Sequence, residues 1–123
     1  MTTSEDDVMA EAKMDSFCVA LEARSPAHRC HRAYEIAVTE DLFGAWLVQI
    51  SYGRIGTRGR TKVRSFRTDI EVAAQVRTCL RKRASAPKRI GVAYHVQRVV
   101  HGNAWYQPDL DEQIRNGFPT AAT

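Results

Sequence analysis

Between Arg54 and Arg67 the chain places six cations, Arg54, Arg58, Arg60, Lys62, Arg64 and Arg67, with no acid among them. Guanidinium and ammonium groups at this density hold phosphate oxygens, and each phosphate they neutralise releases counterions. Along an extended segment side chains alternate, so Arg60, Lys62 and Arg64 share one face and line a track for a polyanion. Tyr52, just upstream, supplies a flat ring that can stack on a base or sugar. Gly53, Gly56 and Gly59 recur at equal spacing in the same stretch. Their backbone amides could surround one anion, and a tight connection between two strands is the plainer reason for glycine there. The pattern is not a nucleotide-binding P-loop, because no Gly-Lys-Ser/Thr follows and no helix opens directly after it. Lysine and arginine also keep exposed edge strands from aggregating, which is the alternative reading of the same charges.

Other chemistries find less support. His28, Cys30 and His31 crowd together as metal ligands do, but neighbours on a strand point to opposite faces. They read as a basic loop or a strand start, and neither a metal nor a cofactor is expected. Cys18, Cys30 and Cys79 are odd in number and lack a Cys-x-x-Cys spacing, so free reduced thiols are expected. No Ser/His/Asp or Cys/His arrangement can be picked out and no pair of carboxylates has a distinctive setting, so no catalytic role is assigned. Trp46, Tyr34 and Tyr94 fall in register with apolar neighbours and read as core or rim residues. Trp105 with Tyr106 is open between covering an apolar edge and forming a second contact surface.

The elements that must position these residues follow from periodicity. Phe17, Val19, Leu21 and Ala23 alternate with smaller or polar residues, as do Tyr34, Ile36 and Val38, and then Trp46, Val48, Ile50 and Tyr52. Each run predicts a half-buried strand. Asp41 and Gly44 mark a turn between the second and third, and Lys62 to Arg67 resumes as a fourth. Phe66 shares the face of Arg60, Lys62 and Arg64 yet should seek the core, which predicts a bulge between Arg64 and Phe66. Thr68-Asp69-Ile70-Glu71 has the pattern of a capping box. From there Ala73, Val76, Leu80 and Ala84, with Ile70 at the edge, form the apolar stripe of a helix ending by Ser85, before Pro87. Val92, Tyr94, Val96 and Val100 predict a last strand. The fold class is α+β, an antiparallel β-sheet of about five strands with one α-helix packed on it.

Three segments carry the resemblance: Tyr34-Glu35-Ile36, then the Glu40-Asp41-Leu42-Phe43-Gly44-Ala45-Trp46 hairpin, then the run from Tyr52-Gly53-Arg54-Ile55-Gly56-Thr57 through Lys62. Together they resemble a WGR domain, over roughly Phe17 to Val100. The family is known as a DNA-binding module in poly(ADP-ribose) polymerases and occurs in assorted bacterial proteins. The resemblance implies that Tyr52 stands where the motif's stacking tryptophan does, with Gly53 and Arg54 as its glycine and arginine. It also implies that basic residues of sheet and loop hold phosphates. The tyrosine is a departure from the motif; a phenol keeps a stacking face of smaller area.

The 18 Lys and Arg and 14 Asp and Glu of the 123 residues are unevenly spread. Residues 17–103 hold sixteen of the bases and six of the acids, a net of +10 between ends of −4 and −2. A basic body between acidic ends favours a polyanionic partner. The division expected is an acidic tail over 1–15, a WGR-like domain over 16–103 and a C-terminal extension over 104–123. The function expected is a non-catalytic nucleic-acid binding module for DNA ends or nicks, reading backbone and sugar, with DNA favoured over RNA. Tyr52, Gly53, Arg54, Arg58, Arg60, Lys62 and Arg64 are its site residues. The alternative is a protein interaction module that docks an acidic or ADP-ribosylated partner, and a protein partner would supply any catalysis. No run is long and apolar enough to span a membrane, and the acidic N-terminus lacks the features of a secretory signal, so the expected location is cytoplasmic.

Overall fold

A computed structural model of the chain describes residues 17–101 and 107–119. The acidic segment 1–15 and Trp105 with Tyr106 lie outside those residues.

Alternation of large apolar with small or polar side chains produces five strands: β1 (Phe17–Ser25), β2 (Cys30–Glu40), β3 (Trp46–Arg54), β4 (Arg60–Phe66) and β5 (His95–His101). They pair antiparallel in the order β4-β3-β2-β1-β5, so β1 and β2 are interior and β4 is an edge. The register sets Val19 opposite Ile36, Ile36 opposite Ile50, and Val38 opposite Val48, so one face is continuously apolar across three strands. In the turn from β2 to β3, Asp41 Oδ1 accepts the amides of Phe43 and Ala45, both at 2.8 Å, and Gly44 takes φ +83°. This is the job the Asp and Gly suggest.

Helix α1 (Asp69–Ala84) lies on that apolar face. Its start is the expected capping box: Thr68 Oγ1 accepts the Glu71 amide at 3.2 Å, and the Glu71 carboxylate accepts the Thr68 amide at 3.2 Å. Val72, Ala73, Val76, Cys79 and Leu80 are buried against the sheet. Each fully buried aliphatic chain in such a stripe contributes about 1.5–3 kcal/mol. Ile70, expected at the edge of the stripe, is 75% exposed in the first turn. The helix stops at Ala84 as expected, and a short α2 (Ala86–Ile90) follows at once, with Pro87 in its first turn where a missing N–H costs nothing.

Two further expectations need correction. Pairing from Trp46↔Phe66 to Tyr52↔Arg60 is unbroken, so there is no bulge between Arg64 and Phe66. Phe66 and the three cations do share a face; the strand resolves the conflict by position, since Phe66 packs against the core while Arg60, Lys62 and Arg64 are exposed farther along the edge. The irregularity sits in β5 instead, where register shifts as Ala20 pairs with Arg98 but Leu21 with Val96. As a result Val99, not Val100, joins Val96 against the core. In the C-terminal extension, α3 (Pro108–Gly117) packs on α1, burying Leu110 and Ile114, with Phe118 just beyond its end. Gln113 Nε2 donates to the Arg77 carbonyl at 3.0 Å, and His101 Nε2 meets Asp111 Oδ1 at 2.7 Å, tying α3 to both α1 and β5.

Candidate functional site

The connection from β3 to β4 explains its glycines by backbone geometry. After Arg54 the chain turns, with the Thr57 amide donating to the Arg54 carbonyl at 3.0 Å and the Thr57 hydroxyl donating to the same oxygen at 2.7 Å. Gly56, third residue of that turn, has φ +85°, a value L side chains rarely adopt. The loop then folds back so that Gly59, at φ +67°, lies on Gly53: a Cβ built on Gly53 would stand 2.7 Å from Gly59 Cα, and one on Gly59 would run into the Tyr52 carbonyl. Two backbones touch here, which only a pair of glycines permits. The Ile55 amide donates to the His31 carbonyl at 2.9 Å and pins the loop to β2.

This stacked loop fixes Tyr52 in β3 beside the start of β4. Tyr52 pairs with Tyr34 on one side and Arg60 on the other, on the helix-bearing face, where it is half-buried against the core rim. Lys62 Nζ lies 5.8 Å from the Tyr52 ring centroid, within cation–π range. Arg54, Arg60, Lys62 and Arg64 all fall in the register of Tyr52 and are exposed. Five of the seven expected site residues are therefore brought to one face. Gly53 serves the loop's backbone contact, and Arg58 lines a hollow of about 270 Å³ that takes in Tyr52, Gly53 and Arg54 together with Ala20, Glu35 and Gln97.

Beside Tyr52 the fold assembles a pocket of about 380 Å³ whose walls include Arg29, Arg32, Arg54, Arg83 and Tyr94. No acidic residue lines it. Arg32 and Arg54 are direct cross-strand partners, a like-charge pairing that ordinarily destabilises a sheet. Arg83, from the last turn of α1, lays its guanidinium 4.6 Å from the centroid of Tyr34, and its Nε is buried with no hydrogen-bond partner among the described residues. Tyr34 itself is buried; burial and the thiol of Cys79 hold its phenol protonated well above the usual tyrosine range, with Arg83 pulling weakly the other way. Arg29, Arg32, Arg83 and Tyr94 are not legible as site residues, since they come from three separate segments that only strand pairing and the packing of α1 on the sheet bring together.

A family model, WGR domain, matches residues 17–86, more than half of the chain and the whole stretch from β1 through α1. The chain belongs to the WGR domain family. The match stops at Ala86, so β5 and α3 lie beyond it. No curated protein matches the chain. In polymerase-like proteins the WGR domain is a nucleic-acid binding module.

The two faces of this WGR domain differ in charge. On the face away from α1 the carboxylates are matched: Glu22 Oε1 is 3.0 Å from Arg24 Nε, and Glu35 Oε2 is 2.7 Å from Arg98. Around Tyr52, in contrast, no ion pair of Arg29, Arg32, Arg54, Arg60, Lys62, Arg64 or Arg83 occurs among the described residues. Cys30 is buried on its strand with its thiol toward the Ala23 carbonyl, His28 is exposed beside the Ser25 hydroxyl, and His31 lines the arginine pocket, so the three do not converge. Among the described residues no helix is long and apolar enough to cross a membrane.

Proposed function

We propose that this WGR domain binds nucleic acid, DNA ends or nicks in the first place, through contacts to backbone and sugar and without catalysis of its own. The observation that carries the reading is the unpaired cationic surface around Tyr52, set against the matched charges of the opposite face. Unpaired cations at this density attract a polyanion, and the salt-dependent release of its counterions supplies the affinity. Phosphate contacts of this kind position the duplex and carry no sequence information, so recognition is of shape and terminus. The half-buried ring of Tyr52 gives a terminal sugar or base a surface to stack on, worth about 1–3 kcal/mol at aromatic platforms. Chemistry at the bound end falls to a protein partner.

The test is a titration of the full chain against a labelled, 5′-phosphorylated blunt duplex, a nicked duplex, a closed circle and an RNA of the same sequence. The expected result is binding to the ended and nicked DNAs, with log affinity falling linearly as log salt rises and with Tyr52→Ala weaker at every salt concentration. No measurable binding at low salt refutes the reading, and a closed circle bound as tightly as the ends refutes the end preference.

A further inference from the structure

The arginine pocket next to Tyr52 holds more positive charge than one phosphate can use. Guanidinium groups stay protonated at any accessible pH, and Arg29, Arg32, Arg54 and Arg83 all line one hollow of about 380 Å³. A phosphomonoester carries about −1.5 to −2 at neutral pH. One such group would leave roughly half of the pocket's charge unmatched. Two linked phosphates come closer, and they span a distance that a single tetrahedral group does not. The direct opposition of Arg32 and Arg54 is a cost to the sheet. It is relieved by acceptor oxygens lodged between the two guanidinium groups. Arg83 is also held in place beforehand, because its guanidinium stacks on the buried Tyr34 ring. Such preorganisation lowers the entropy a flexible cation would lose on binding.

The remaining walls indicate what the phosphates are attached to. Tyr52, half-buried at the rim, brings an aromatic residue to the hollow, with Tyr94 buried against Tyr34 in its wall, and a volume of this size falls in the usual range for a small organic ligand, about 300–1,000 Å³. An inorganic anion would leave the Tyr52 ring unused. We propose that the pocket is a binding site for a nucleoside diphosphate group, with the arginines on its two phosphates and Tyr52 against its sugar or base. The group can come from a free nucleotide or from a nucleic acid whose 5′ end carries more than one phosphate. The second source rests on the nucleic-acid reading of this face; the first does not.

The experiment compares one oligonucleotide sequence bearing a 5′-hydroxyl, monophosphate, diphosphate or triphosphate, and, separately, free AMP and ADP. Binding to the full chain is measured by fluorescence anisotropy and calorimetry. The diphosphate and triphosphate ends are expected to bind roughly tenfold or more tighter than the hydroxyl end, and measurably tighter than the monophosphate, since each added charged hydrogen bond contributes on that scale. Arg32→Gln, at an exposed position, should collapse the differences between ends to about twofold, while the loss of one cation weakens the hydroxyl-ended oligonucleotide far less than the triphosphate-ended one. Arg83→Lys keeps the charge but loses the planar stack, and should lose part of the discrimination with a melting temperature lowered by roughly 2–8 °C. ADP binding tighter than AMP assigns the site to free nucleotides as well; discrimination among ends with no ADP binding assigns it to the polymer terminus. Equal affinity for all four ends together with equal affinity for AMP and ADP overturns the proposal, as does discrimination that survives Arg32→Gln. If no oligonucleotide binds at all, the nucleic-acid reading fails, and ADP binding lost in Arg32→Gln would still uphold the pocket.

Discussion

Gly59 is where the local geometry makes the sharpest demand, and a comparison with Gly56 isolates it. Both residues take positive φ, +67° and +85°. Around Gly56 a Cβ meets nothing within 4 Å, whereas at Gly59 it would collide with the Tyr52 carbonyl and lie 3.3 Å from Gly53 Cα. Alanine in this conformation costs about 1–2 kcal/mol, offset by about 0.4–1 kcal/mol because it restricts the unfolded chain. Gly56→Ala should therefore lose about 1 kcal/mol or less. For Gly59→Ala the obstacle is backbone, which cannot rotate away, so an overpacking cost of about 1–3 kcal/mol is added. At roughly 4 °C per kcal/mol for a domain of this size, Gly56→Ala should melt about 2–4 °C below the wild type and Gly59→Ala about 8–15 °C below it. Thermal unfolding followed by circular dichroism reads both. Equal melting temperatures for the two variants would mean that the Gly53–Gly59 contact does not hold the loop, and with it the account of how Tyr52 and Arg60 are positioned.

Other consequences can be checked separately. If β4 lies along a phosphate track, replacing Arg60, Lys62 and Arg64 together by Gln should reduce the slope of log affinity against log salt by roughly 0.9 per lost contact. Arg24→Gln on the other face should leave that slope alone, and an unchanged slope in the triple variant would remove β4 from the interface. Tyr34 ionises in the unfolded chain near the usual ~10 but stays protonated in the fold to higher pH. Its contribution is thus complete below that pH and is lost as pH rises further. Between pH 9 and 11 the wild type should lose more stability than Tyr34→Phe, and parallel pH profiles would contradict this. Leu110 is the fully buried anchor of α3, so Leu110→Ala should cost about 2–5 kcal/mol in urea unfolding; a loss below about 0.5 kcal/mol would show that α3 is not part of the cooperative unit.

Much of the sheet was legible because its signals are local. Alternation marked β1, β2 and β3 to within a few residues, and Thr68 with Glu71 located the start of α1. Local signals also exist for α3: Pro108 at its start, Asp109 and Asp111 in its first turn, and Leu110, Ile114 and Phe118 spaced by four. Errors in register had a different origin. Whether Val99 or Val100 meets the core depends on a shift in pairing with β1, and whether Phe66 can share a face with three cations depends on how far α1 reaches across the sheet.

The sequence by itself determined the family, the α+β class and the concentration of charge after Tyr52, because each rests on residue types read along one continuous segment. It favoured a tight connection as the role of Gly53, Gly56 and Gly59 beside an anion-binding one, although not that two of them touch. Tertiary structure alone decided the composition of the arginine pocket. Arg29, Arg32, Arg54 and Arg83 are separated by up to fifty-four positions in the chain, and they line one hollow only because β2 pairs with β3 and α1 ends above Tyr34. Periodicity reports which face a residue takes within its own element; which elements become neighbours is settled by the burial of the shared core, and that is a property of the whole chain.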